Sequence, residues 1–165
     1  DAENTHKQET GLMRVDRKRD KEAREAFGEI MTNMDGSEKA VLVQERVKGK
    51  RELVIGLTRD AQFGPCVMFG LGGIYDELIK DVAVRLHPLT DSHARELVRS
   101  IKMSNLLDGF RGSPPSDTES LEDLLLRLSA LIEDIPQIAE LDFNPVKVMP
   151  RGEGYWIVDA RIMLR

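Results

Sequence analysis

A single cysteine, Cys66, leaves this 165-residue chain without an internal disulfide, so a reducing cytoplasm is its expected compartment. No apolar run approaches the ~20 residues that a membrane-spanning helix needs, and the start is too polar for a signal peptide. Basic residues are in the minority. The 24 Lys and Arg against 29 Asp and Glu give a net charge of −5, the wrong sign for a general nucleic-acid-binding surface. Internal repeats and low-complexity runs are also missing. What remains is 41% hydrophobic and 32% charged, an ordinary globular composition. The length suffices for one large or two small domains with a real core.

The most informative stretch is ELDFNPVKVMPRGEGYWIVDAR, residues 140–161. Ile138, Leu141, Phe143, Val146 and Val148 are apolar within a run closed by Pro150. Arg151-Gly152-Glu153-Gly154 has turn chemistry, and Tyr155-Trp156-Ile157-Val158 restarts a strand. Such a hairpin brings Asn144 on one arm close to Asp159 on the other. A carbonyl oxygen beside a carboxylate suits a hard cation such as Mg²⁺, which takes one or two protein oxygens and completes its shell with water and phosphate. Taken alone, the same two residues are equally at home as solvated or turn-forming groups at strand ends.

LDFNPV followed by IVDAR resembles the metal-binding end of ATP-grasp domains. More narrowly, it resembles the nucleotide-binding β part of ADP-forming (NDP-forming) acyl-CoA synthetases, relatives of succinyl-CoA synthetase. HKQETG at 6–11, KAVLVQERV at 39–47, the long block at 51–89 and LLLRLSALIEDIPQIAELDFNP at 124–145 agree in order, so the resemblance covers almost the whole chain. It implies Mg²⁺ and ATP or ADP as cofactors, with Asn144 and Asp159 as metal ligands. A CoA-binding α subunit or domain is the implied partner, within an oligomeric full protein. It also implies that the chain begins partway into the family domain, after the segment that carries a nucleotide-phosphate lysine.

The resemblance assigns further roles. His6 matches a phosphoryl-carrying histidine, a role imidazole suits because its neutral nitrogen is nucleophilic near neutral pH. The loop departs from the family pattern: Gln8 replaces a hydroxyl residue and Leu12 a second glycine, whereas Glu9 and Gly11 are kept. Glu45 and Val47 match the hinge against which adenine lies, and the simpler reading of the same residues is an edge strand. Gly72 and Gly73, in a Gly-Leu-Gly-Gly run after a strand, match a segment where bare backbone can approach an anion. Glu77 matches an acid that meets the α part's phosphohistidine loop, and Arg85 an arginine directed at the nucleotide. For Arg85 the alternative is a surface ion pair.

Periodicity fills in the rest. Asp20–Met34 predicts a helix with Ala23, Phe27, Ile30, Met31 and Met34 on one face, capped by Asp16 or Asp20 and ended by Asp35-Gly36. Residues 40–47 predict a strand, followed by strands over 52–57, 66–69 and 80–86. Thr90 opens a helix with an Ala94, Leu97, Val98, Ile101 stripe. Asp117 caps a longer helix in which Leu121, Leu124, Leu125, Leu128, Ala130, Leu131 and Ile132 are expected to be buried, before Pro136. Ser113-Pro114-Pro115-Ser116 is the most linker-like spot.

This order gives an α+β fold, ATP-grasp-like, with a largely antiparallel sheet backed by helices. Residues 1–47 would form a remnant of the smaller nucleotide-binding subdomain, and 48–165 the subdomain with the metal site. Three functions compete: the nucleotide module of an acyl-CoA synthetase, a degenerate regulatory module such as the synthetase-like domain of a lysine acetyltransferase, and a purely structural interaction domain. The altered HKQETG loop is the feature that favours the second.

Overall fold

The computed structural model describes residues 13–15, 19–34, 39–49, 51–73, 81–110 and 112–165. The chain divides into two compact units, Asp1–Arg46 and Val47–Arg165.

In the first unit, helix α1 spans Asp20–Asn33 and buries Ala26 and Ile30. The predicted face is only partly right. Ala23 is exposed and so is Phe27, at 51%; Ala26, one turn before Ile30, takes the buried position instead. Nor does an aspartate cap the helix. Its N-cap is Arg19, without a side-chain bond, while Asp20 and Glu22 sit in the first turn, where carboxylates favour the helix dipole. The predicted caps Asp16 and Asp35-Gly36 lie outside the described residues. The predicted strand over 40–47 is not formed: residues 39–49 carry no strand. Leu42 and Val43 are 78% and 89% exposed. An apolar run becomes a strand only when it finds a ladder partner.

The second unit is built on one antiparallel sheet of six strands: β1 (Arg51–Asp60), β2 (Gly64–Leu71), β3 (Val82–Leu86), β4 (Ile138–Val148), β5 (Tyr155–Ile157) and β6 (Ala160–Leu164). The order is β3-β2-β1-β4-β5, with β6 also paired to β4. Side chains alternate across the sheet, and one face is apolar. Leu53, Ile55 and Leu57 of β1 stand opposite Leu71, Phe69 and Val67 of β2, and all six are buried. Between β1 and β2, Asp60 Oδ1 accepts the N–H groups of Gln62 and Phe63 at 2.8 and 2.9 Å, which closes the turn and holds its carboxyl below the usual range.

Helices α2 (Asp91–Ser100) and α3 (Thr118–Asp134) supply the other half of the core. The predicted α2 stripe of Ala94, Leu97, Val98 and Ile101 is buried. Thr90 Oγ1 accepts the His93 N–H, and the His93 ring accepts the Thr90 N–H, closing a capping box. In α3, Leu121, Leu124, Leu125, Leu128 and Ile132 are buried as expected, but Ala130 is exposed and Ser129 is buried in its stead. The reason is angular: Ser129 lies four residues beyond Leu125 and shares its face. The Ser129 hydroxyl bonds the Leu89 N–H at 3.0 Å and the His87 ring at 2.9 Å, so the position is satisfied.

Asp117 does more than cap α3. One carboxylate oxygen accepts from Ser120 N–H, and the other takes both Gly152 and Gly154 N–H at 3.0 and 2.9 Å. It ties the helix start to the β4–β5 turn. The linker-like Ser113–Ser116 stretch is likewise fastened: Arg51 donates to Pro114 O at 2.8 Å and to Ser116 Oγ at 2.7 Å.

Candidate functional site

The second arm of the C-terminal hairpin is broken at Val158-Asp159. β5 pairs with the end of β4 from Val146 to Val148, and β6 pairs back along its earlier part from Ile138 to Phe143. Two backbone bonds hold the break: Val158 N–H to Pro145 O at 3.0 Å, and Asn144 N–H to Asp159 O at 3.2 Å. On the opposite edge of β4 the register with β1 slips between Leu53/Val146 and Ile55/Phe143. There Asn144 and Pro145 together face the one residue Val54, a bulge of the kind that re-aims side chains. Pro145 also has no N–H to give the ladder.

The result is two oxygen-bearing residues, 15 positions apart in sequence, joined through their backbones at one interruption of the sheet. Asn144 and Asp159 are both exposed. One Asp159 carboxylate oxygen accepts the Ala160 N–H at 3.0 Å, which orients the group. An amide carbonyl and a carboxylate in this setting form a hard-donor pair that fits Mg²⁺ and leaves the rest of its shell to phosphate and water.

The other sequence-predicted residues are spread out. His6 and Glu77 lie outside the described residues. Glu45 is exposed in the first unit, and Val47 begins the second. Gly72 donates its N–H to Glu52 O at 2.8 Å; that amide is spent on the sheet. A Cβ on Gly72 would lie 3.1 Å from the Leu53 backbone, and one on Gly70 would lie 2.8 Å from Val82 Cγ2 and 2.9 Å from Asp81 O. Close approach between neighbouring segments accounts for both. Gly73 is exposed with φ +67°, which glycine adopts freely.

Arg85 stands opposite Val67, on the face covered by helices, and its guanidinium pairs with Glu96 of α2 at 2.7 Å. It is on β3, three strands across the sheet from β4, about 14 Å at the usual strand spacing. The structure does not bring Arg85 to the Asn144–Asp159 pair.

Two residues with no role in the sequence reading stand out. Asp81 is 2% exposed, and its two oxygens accept the Lys102 and Met103 N–H groups at 2.7 and 2.8 Å. Lys147, between the buried Val146 and Val148, lies on the sheet face away from the helices. Its Nζ is 3.2 Å from Glu52 Oε1 and donates to Val47 O at 3.3 Å. The alternation Val-Lys-Val was legible; the partners, far away in sequence, were not.

With the geometry in place, likeness to known proteins becomes informative. The family model for the ATP-grasp domain matches residues 1–164. Acetate–CoA ligase (ADP-forming) I of Archaeoglobus fulgidus is 46% identical over 144 residues, covering 84% of this chain and 21% of that protein. The β subunit of acetate–CoA ligase (ADP-forming) II of Pyrococcus furiosus is 40% identical over 166 residues, which are 97% of this chain and 70% of the subunit. The chain therefore spans a small part of the first relative and most of the second.

Among solved structures, the dinucleotide-forming acetyl-coenzyme A synthetase 1 of Ca. Korarchaeum cryptofilum, in complex with coenzyme A, Ca-AMPCP and HgCl⁺, gives a TM-score of 0.91 at 41% identity over 99% of this chain and 72% of that one. The same enzyme with coenzyme A and Mg-AMPPCP, its phosphohistidine segment pointing towards the nucleotide binding site, gives 0.86 at 43% identity over 98% and 71%. The antiparallel sheet, its helices and these matches agree: the chain belongs to the ATP-grasp domain family, among the β subunits and β domains of ADP-forming acyl-CoA synthetases.

Proposed function

We propose that this chain is the nucleotide-binding module of an ADP-forming acyl-CoA synthetase and works with a CoA-binding α subunit or domain. The observation that carries the reading is the backbone-linked Asn144–Asp159 pair, in a chain whose solved relative is described with Mg-AMPPCP and coenzyme A. The overall reaction converts acyl-CoA, phosphate and ADP into acid, CoA and ATP. Phosphate displaces CoA to give acyl phosphate, and histidine takes the phosphoryl group and releases the carboxylate. ADP then accepts the phosphoryl group from histidine, so atoms and charge balance at each step.

Asn144 and Asp159 would hold Mg²⁺, which supplies charge neutralisation to the transferring phosphate when bound. The chain's own residues divide the remaining work. Val47 and Glu45 present the base-binding segment, and Gly73 would bring bare backbone to the nucleotide beside the Glu52 carboxylate. His6 carries the phosphoryl group, and Glu77 orients the histidine of the α part. Arg85 is committed to Glu96, so a direct role at phosphate would require that ion pair to open. The module acts by positioning and electrostatics in the cytoplasm.

Calorimetric titration with ADP, with and without Mg²⁺, tests the reading. Mg²⁺-dependent binding in the micromolar range, about −8 kcal/mol, is expected of the complete protein. Absence of binding there would leave a structural interaction module. Mg²⁺-dependent binding without phosphohistidine formation from Mg-ATP and the α part would instead indicate the regulatory alternative.

A further inference from the structure

We propose that Lys147 is a positioning residue for the nucleotide base: it fixes the Val47 peptide so that the Val47 N–H is preset for adenine, and thereby sets a preference for adenine over guanine nucleotides. This inference rests on the reading of Val47 as the base-contacting position.

The Lys147 side chain is only 14% exposed. An ammonium group that far out of water needs partners, and it has two, the Glu52 carboxylate at 3.2 Å and the Val47 carbonyl at 3.3 Å. The same side chain also supports the following residues. A Cβ on Gly49 would sit 3.3 Å from Lys147 Cβ, 3.4 Å from its Cδ and 3.7 Å from Met149 Sδ, so the 47–49 segment packs along the lysine stem. Residues 47–49 carry no strand. One side chain therefore supplies both a bond to Val47 and a floor under Gly49, in a segment that no strand ladder holds.

Anchoring the Val47 carbonyl fixes the plane of the Val47–Lys48 peptide and restricts the Val47 dihedrals, while leaving the Val47 N–H for a ligand. A backbone donor held in advance loses less freedom on binding than one that must be ordered. It is also selective. N1 of adenine is an acceptor and can take the N–H, whereas N1 of guanine carries a hydrogen and leaves two donors facing each other. Mismatched polar groups in a binding site discriminate far more strongly than a change of size. Glu52 completes the device by orienting the ammonium from β1.

The test uses the complete synthetase with its CoA-binding partner and measures KM and kcat for ADP and GDP. K147M keeps much of the stem and removes the ammonium. The expected result is an ADP KM raised about tenfold, kcat within about twofold, and an unchanged GDP KM, so that the base preference shrinks. K147R should restore most of the ADP KM, since a guanidinium can also donate to the carbonyl. E52Q, which leaves Lys147 in place, should shift the ADP KM in the same direction by less, and it carries the test if K147M does not fold. Wild-type turnover with an unaltered ADP KM in K147M overturns the inference alone; so does an equal rise for ADP and GDP. Failure of the wild-type protein to use any nucleotide overturns the functional reading and this inference with it.

Discussion

The N–H of Asn144 donates to the carbonyl of Asp159 at 3.2 Å, where β4 bulges and the facing arm breaks into β5 and β6. Together with the Val158 N–H to Pro145 O bond, it holds two hard-oxygen residues, 15 positions apart in sequence, at one break of the hairpin. Because the contact is made by backbone atoms, changing either side chain leaves it in place, so chemistry and fold can be separated by mutation.

The Asp159→Asn variant should therefore keep its melting temperature and lose Mg²⁺-dependent ADP affinity by about tenfold or more, the usual penalty when a metal loses its charged ligand. Paired calorimetric titrations with and without Mg²⁺ measure this. An unaltered affinity would remove Asp159 from the metal site.

Asp117 predicts the opposite pattern. Its two oxygens serve the α3 cap and the Gly152 and Gly154 amides, and the residue is 7% exposed. Asp117→Ala should cost about 2–4 kcal/mol, combining a lost cap with two stranded N–H groups. A urea unfolding curve should show a lower midpoint with an unchanged slope.

The glycines of the β2 segment distinguish packing from ligand approach. A Cβ on Gly70 would meet the Asp81 backbone at 2.9 Å, and backbone cannot yield as a flexible side chain can. Gly70→Ala should destabilise by about 1–3 kcal/mol, as read from thermal unfolding, with nucleotide affinity at low temperature unchanged.

Asp60 links stability to pH. The amides of Phe63 and Gln62 hold its carboxyl below the usual value, so the folded state favours the ionised form. The sign follows directly: its contribution is complete above the ordinary carboxyl pKa and is lost as pH falls through the depressed folded value. Asp60→Asn removes this proton linkage. Its unfolding free energy should fall less steeply than the wild type's between mildly and strongly acidic buffer.

Much of the second unit could be read before any coordinates. The α2 stripe, the Thr90 and Asp117 caps and the turn at Arg151–Gly154 depend on spacing within a few residues, and local spacing is what the sequence displays. The hairpin reading also placed Asn144 and Asp159 on facing arms, and their backbones are bonded at 3.2 Å. The failures were of a different kind. The 40–47 segment has a strand-like composition but no ladder. The burial of Ser129 follows from its place one turn after Leu125, but the partners that satisfy its hydroxyl, His87 and Leu89, lie on another element.

By itself, then, the sequence determined which segments of the second unit are amphipathic and where its helices begin. These are properties of residue type and short-range period. Only the tertiary structure decided which face each strand presents, that β5 and β6 share the edge of β4, and that Lys147 reaches both Glu52 and Val47. Those facts depend on register between distant strands, and a register is chosen by the burial of a whole face at once.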